Sequence, residues 1–250
     1  KAAAGFAFVS YGDSIRVAFH TINSPEGPSA TSTMGTSLEI SDFTPGPNQG
    51  KQKFYEALYR QTATYRTPLP DASMRVGEYF KSQASLTGRG SASADPIQQS
   101  CQSNYHLLTT DGFWNENFTT PGDRDNTIPD DRVAQALRDE KRLAASKGPV
   151  TYVSAVPDAS LASGSPWPAP YRQGVPTSNT LSDVAMKYWA EDLRTTGTKS
   201  ANNRTPNMRK VGEWITSDPA TWQHVVTYGL AFGARGVLPY KLRSGPGTTG

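Results

Sequence analysis

The sequence predicts an α/β protein whose parallel or mostly parallel sheet carries helices on both faces. Three observations carry that prediction. Short apolar runs of strand length, Ile15–Ile22, Asn104–Thr110 and Val225–Phe232, alternate with segments whose apolar residues recur every three or four positions. Strands in such an order are joined by helical crossovers, which makes neighbouring strands run parallel. Hydrophobic residues are 36% of the 250 and charged residues 19%, enough apolar material for a core and too little charge for a disordered chain.

Taken in order, residues 1–12 read as the last turns of a helix closed by Gly12-Asp13. That Ala-rich opening has no capping residue and no signal-peptide pattern, so the chain is expected to be a fragment. Ile15, Val17, Phe19 and Thr21 share one face of a first strand. Pro25, Gly27, Pro28 and Gly35 mark a loop, and Leu38–Phe43 fits a short edge strand. Phe54, Ala57, Leu58 and Gln61 predict a helix over about 50–61. Thr67-Pro68 predicts the next helix start, with Thr67 as cap and Leu69, Ala72, Val76 and Phe80 on one face to Lys81.

Residues 85–96 read as a Ser, Gly and Ala loop. A strand over 104–110 then stops at Asp111-Gly112. Residues 113–177 hold eight prolines around one predicted helix at about 130–146, a long loop-rich insertion of the kind that is usually functional or mobile. Leu181, Val184, Ala185, Tyr188 and Leu193 form the stripe of another helix, Val225–Phe232 is the last strand, and 241–250 has linker composition.

Composition excludes several classes. A net charge of +3 is no nucleic-acid footprint, and no run of about 18–20 apolar residues is present to span a membrane. Cys101 is the lone cysteine, so neither an internal disulfide nor a four-cysteine zinc site can form. It reads as buried, or paired with a cysteine outside the chain. Chemistry is sparse. Asp111 should project its carboxylate from the carboxyl end of a strand, where open α/β sheets bind ligands and where a hard divalent cation finds oxygen donors. Thr67, at a helix start after a loop, can offer a hydroxyl. The same residues also fit a plain turn and a simple cap.

His20, His106 and His224 have no nucleophile elbow, metalloprotease helix or phosphate loop beside them, and read as structural. A metal-assisted hydrolase using Asp111 with one of them is the alternative reading. It requires a histidine within a water's reach of that carboxylate. Asp123, Asp125, Asp130 and Asp131 lack the glycine and glutamate spacing of an EF-hand and read as a solvated loop. Trp114, Phe118, Trp167 and Tyr171 place aromatics in the insertion, where they can anchor a partner or cap the sheet's own core.

Three segments stand out together: Cys101-Gln-Ser-Asn-Tyr-His-Leu-Leu-Thr-Thr-Asp-Gly-Phe-Trp-Asn115, Leu181-Ser-Asp-Val-Ala-Met-Lys-Tyr-Trp-Ala-Glu-Asp-Leu-Arg194 and Asp218-Pro-Ala-Thr-Trp-Gln-His-Val-Val-Thr-Tyr-Gly-Leu230. Together they resemble segments of the PilC/PilY family of type IV pilus factors. Their order matches too, and Thr67-Pro68-Leu69 is similar to a shorter family motif. The resemblance spans about 1–240, with 113–177 poorly matched.

What the resemblance implies is a doubly wound von Willebrand factor A-like domain over 1–240, its first strand missing from this chain. Such domains often carry a metal-ion-dependent adhesion site built from Asp-x-Ser-x-Ser, a Thr on a second loop and an Asp on a third. Thr67 and Asp111 match the last two parts, and the first is absent. Tyr65-Arg66 also replaces the small residues often found before that Thr. Mg²⁺ or another divalent cation is therefore expected in the intact parent, and weakly or not at all in this chain. The resemblance further implies a non-enzymatic adhesion and pilus-biogenesis module, secreted to the bacterial surface, pilus tip or outer membrane. Its partners would be minor pilins, a host-cell receptor or matrix protein, and the rest of the parent chain.

Overall fold

A computed structural model describes residues 1–23, 37–62, 67–86, 90–99, 102–112, 114, 119–124, 177–194 and 223–232. The chain divides into two compact units, Lys1–Gln98 with Trp114–Phe118, and Gln99–Phe113 with Thr119–Gly250.

The first unit begins with helix α1 (Ala2–Phe8), then strands β1 (Arg16–His20) and β2 (Ser37–Asp42), then helices α2 (Gly50–Arg60) and α3 (Leu69–Ser82). β1 and β2 pair antiparallel, with a bulge where Val17 faces Ser41 and Phe19 faces Leu38. Phe54, Ala57 and Leu58 are the buried stripe of α2, as their spacing predicts. Phe54 and Leu58 close with Phe43 over Phe8, Val17, Phe19 and Leu38. The aromatic rings interlock, Phe43 meeting Phe54 edge-on at 5.4 Å and Phe8 meeting Phe54 at 5.1 Å.

Two expected helix ends move. α1 stops at Phe8 rather than running to Gly12, and Val9 keeps a right-handed φ of −62°. The Lys51 ammonium takes the place of a glycine closure, donating to the carbonyls of Val9 at 2.7 Å and Tyr11 at 2.6 Å. A cation at a helix carboxyl end also suits the helix dipole. α3 begins one residue later than expected. Pro68, not Thr67, is its cap, and Pro70 falls in the first turn, where a missing N–H costs nothing. Thr67 lies just outside, its carbonyl accepting from the amide of Leu69 at 2.9 Å.

The second unit holds β3 (Asn104–Thr110), helix α4 (Leu181–Ala190) and β4 (Val225–Ala231). β3 and β4 run parallel in continuous register from Asn104 opposite Val225 to Thr110 opposite Ala231. α4 lies on the connection between them and packs against β4 through a helix buried at Val184, Ala185, Met186, Tyr188 and Trp189. That is the crossover logic of an α/β fold, and the α/β class holds. Among the described residues the four strands form two separate two-stranded sheets, one antiparallel and one parallel, rather than one mostly parallel sheet. The predicted helix at about 130–146, the tail at 241–250 and Cys101 fall outside the described residues.

Candidate functional site

β3 delivers Asp111 to the position that its sequence implies. The strand ends at Thr110, and Asp111 follows, exposed, at the carboxyl edge of the parallel pair. The chain turns there at Gly112, whose φ of +104° is open to glycine and disfavoured for side-chain-bearing residues. The Thr110 hydroxyl fixes the turn by accepting the Gly112 amide at 3.0 Å, and it lies 3.5 Å from an Asp111 carboxylate oxygen. Across the edge, the Phe232 amide donates to the Thr110 carbonyl at 2.8 Å. The result is an exposed carboxylate beside a hydroxyl on a hydrogen-bonded edge. These are hard oxygen donors of the type that Mg²⁺ accepts alongside water. Thr67 belongs to the other unit, so the two residues assigned to one ion are held by separate parts of the chain. Among the described residues no group of three or more His, Cys, Asp or Glu converges.

The histidines are placed for structure. His106 stands five residues before Asp111 on an extended strand, about 16 Å away at roughly 3.3 Å per residue. Burial lowers its pKa to about 4, so its ring is neutral. His224 precedes Val225 at the opposite end of the pair, buried with its ring 6.3 Å from that of Trp189. His20 sits in the first unit, its Nδ1 2.8 Å from the Ser37 hydroxyl. Neither His106 nor His224 is within a water's reach of Asp111, and the hydrolase arrangement is not assembled from them.

Of the four aromatics assigned to partner contact, Trp114 is exposed, while Phe118, Trp167 and Tyr171 lie outside the described residues. Sequence reading missed a further aromatic set on the parallel pair. Tyr105, Leu107, Tyr228, Leu230 and Phe232 are each about half exposed, and the rings of Tyr105 and Tyr228 lie 6.3 Å apart. The alternation of β3 was the available signal, since Asn104 and Leu108 turn inward while Tyr105 and Leu107 turn out. It also missed Asp183, fully buried at the start of α4, where it completes a capping box with Thr180. The Thr180-x-x-Asp183 spacing carries that signal.

No helix among the described residues is long and apolar enough to cross a membrane. No family model matches the chain, and no solved structure matches it significantly. Curated relatives do match. The type IV pilus biogenesis factor PilY1 of Pseudomonas aeruginosa strain PAO1 is 30% identical over 246 residues, covering 93% of this chain and 18% of that protein. The factors of the same name from strains PAK and UCBPP-PA14 are each 29% identical, over 93% and 100% of this chain and again 18% of their own length. The chain thus spans about a fifth of the length of the curated relatives it matches. Similarity that runs through nearly the whole sequence, with the three motif segments inside it, makes this chain a member of the PilC/PilY family over that shared region.

Proposed function

We propose that the chain is a non-enzymatic module of a type IV pilus biogenesis protein that also mediates adhesion. The observation that carries this reading is the match to PilY1 across 93–100% of the chain. The parallel β3–β4 pair with its crossover helix supports a von Willebrand factor A-like, doubly wound domain in the parent, with 113–177 as an insertion. Asp111 and Thr67 would supply two oxygen ligands to a divalent cation, the remainder coming from other parts of the parent. An acidic group on a partner would complete the ion's shell, so that metal bridges the two surfaces. Minor pilins, and a host receptor or matrix protein, are the partner classes. Trp114, Phe118, Trp167 and Tyr171 would anchor them at the insertion, and the site of action would be the bacterial surface or pilus tip.

The test uses the parent protein on piliated cells. Asp111→Ala is expected to abolish metal-dependent adherence, as a chelator does in the unsubstituted parent, while pili are still assembled. Adherence indifferent to both chelator and Asp111→Ala would overturn metal bridging.

A further inference from the structure

Helix α1 carries no polar side chain: it reads Ala-Ala-Ala-Gly-Phe-Ala-Phe. A surface helix keeps one apolar stripe, whereas a helix apolar all round belongs in an interior. Only one side of α1 meets that condition in the first unit. Gly5 faces α2, where an added Cβ would collide with the Tyr59 hydroxyl, and the Tyr55 hydroxyl donates to the Gly5 carbonyl at 2.8 Å. The Lys1 ammonium donates to the Tyr59 carbonyl at 2.9 Å. Ala4 and Phe8 pack onto the core around Phe43 and Phe54. The other side, formed by Ala2, Ala3, Phe6 and Ala7, is exposed, and Val9 extends it in right-handed backbone. At 3.6 residues per turn Ala2, Phe6 and Val9 line up, with Ala3 and Ala7 beside them. Phe6 is 80% exposed and Val9 56%.

We propose that this outward stripe of α1 is the seat of another segment of the parent polypeptide, an apolar face with a recess for the Phe6 ring. Size selects that occupant over a second copy. The stripe offers Ala2, Ala3, Phe6, Ala7 and Val9, whereas a stable contact between separate molecules takes roughly 20–30 residues a side. A patch this small holds when both surfaces belong to one polypeptide, because association then costs little translational and rotational freedom. The family supplies the chain for it, since this region is 18% of the length of its curated relatives. The stripe is also presented ready-made. A helix this short does not persist alone in water, and Lys51, Tyr55 and Phe8 hold it on the first unit with Phe6 outward. The alanines around Phe6 let a facing element approach closely. Neither metal binding nor adhesion is needed for this contact, so it stands or falls separately from them.

The experiment places the photoreactive analogue p-benzoylphenylalanine at position 6 of the parent protein and maps its crosslinks by mass spectrometry. The expected product has the mass of one polypeptide, joined from position 6 to a segment outside these 250 residues. Crosslinks to a second copy, crosslinks confined to the 250 residues, or none at all would each overturn the assignment. A second arm uses Phe6→Asp. In the 250-residue chain it is expected to shift the melting midpoint by no more than about 2 °C, as an exposed position should. In the parent it is expected to speed amide exchange in the crosslinked segment at least about tenfold. A fall of more than about 5 °C in the 250-residue chain would place Phe6 in that chain's own core and contradict the proposal. Unchanged exchange in the parent would contradict it as well.

Discussion

The hydroxyl of Tyr79 accepts the backbone amide of Ile40 at 2.9 Å. Ile40 lies within the β1–β2 bulge, where the ladder has an extra residue on one strand and leaves a donor without a strand partner. A side chain from α3 fills that gap. Tyr79 is itself 1% exposed, and burial raises its pKa above the ordinary phenol value, so the hydroxyl stays protonated throughout the range in which the protein is handled. Tyr79→Phe should cost about 1–2 kcal/mol, the penalty for an unsatisfied buried amide. Denaturant titration would read the loss, and the Ile40 amide should exchange faster than its neighbours in the strand.

Gly50 opens α2 directly beneath the end of β2. A Cβ placed there would sit 2.0 Å from the Asp42 carbonyl oxygen and 3.0 Å from the Ser41 hydroxyl. The first obstacle is backbone, so the strand end or the helix start has to move. Gly50→Ala is expected to destabilise by about 1–3 kcal/mol, the usual range for overpacking. Gly12, with nothing within 4 Å of its Cβ position, is the control. Gly12→Ala should be neutral or slightly stabilising in the same thermal melt.

His106 sets a pH dependence. Its pKa is about 4 in the folded protein and about 6.5 in an unfolded chain, so below pH 6.5 the unfolded state binds the proton more readily. The stabilisation is fully present above pH 6.5 and is lost as pH falls toward 4, by about 3 kcal/mol at most. Unfolding free energies measured from pH 7.5 to 4 should fall along that curve, and His106→Gln should flatten it. An unchanged slope in the variant would assign the acid sensitivity elsewhere.

Much of this was legible in the sequence. Phe54, Ala57 and Leu58 mark α2 by spacing alone, and Asn104–Thr110 ends at Asp111-Gly112 as its composition implies. What escaped reading depends on residues distant in the chain. Just past the end of α1, the carbonyls of Val9 and Tyr11 are held by Lys51, some forty positions on. The β1–β2 bulge depends on Tyr79, and the start of β3 depends on Asn104 donating to Gln223 at 3.0 Å across more than a hundred residues. Periodicity carries no information about such pairings. Thr67 was misplaced by one residue because Pro68 and Pro70 both fit a helix start, and only the observed backbone separates the two.

Asp111 is exposed and, among the described residues, its carboxylate meets only the Thr110 hydroxyl at a long 3.5 Å, so Asp111→Ala should change stability by less than about 0.5 kcal/mol. Calorimetric titration with Mg²⁺ and Mn²⁺ should give affinity in the parent protein that the variant lacks. Equal affinity in the two would assign the metal to other residues.

The most direct test of family function is a chimera. In P. aeruginosa lacking its own PilY1, the matching segment of PilY1 is replaced by this chain and surface pili are counted. Pili are expected to return to at least about a tenth of the level given by intact PilY1, whereas PilY1 with the segment deleted is expected to give none. A chimera present at the cell surface in normal amount and still without pili would contradict it.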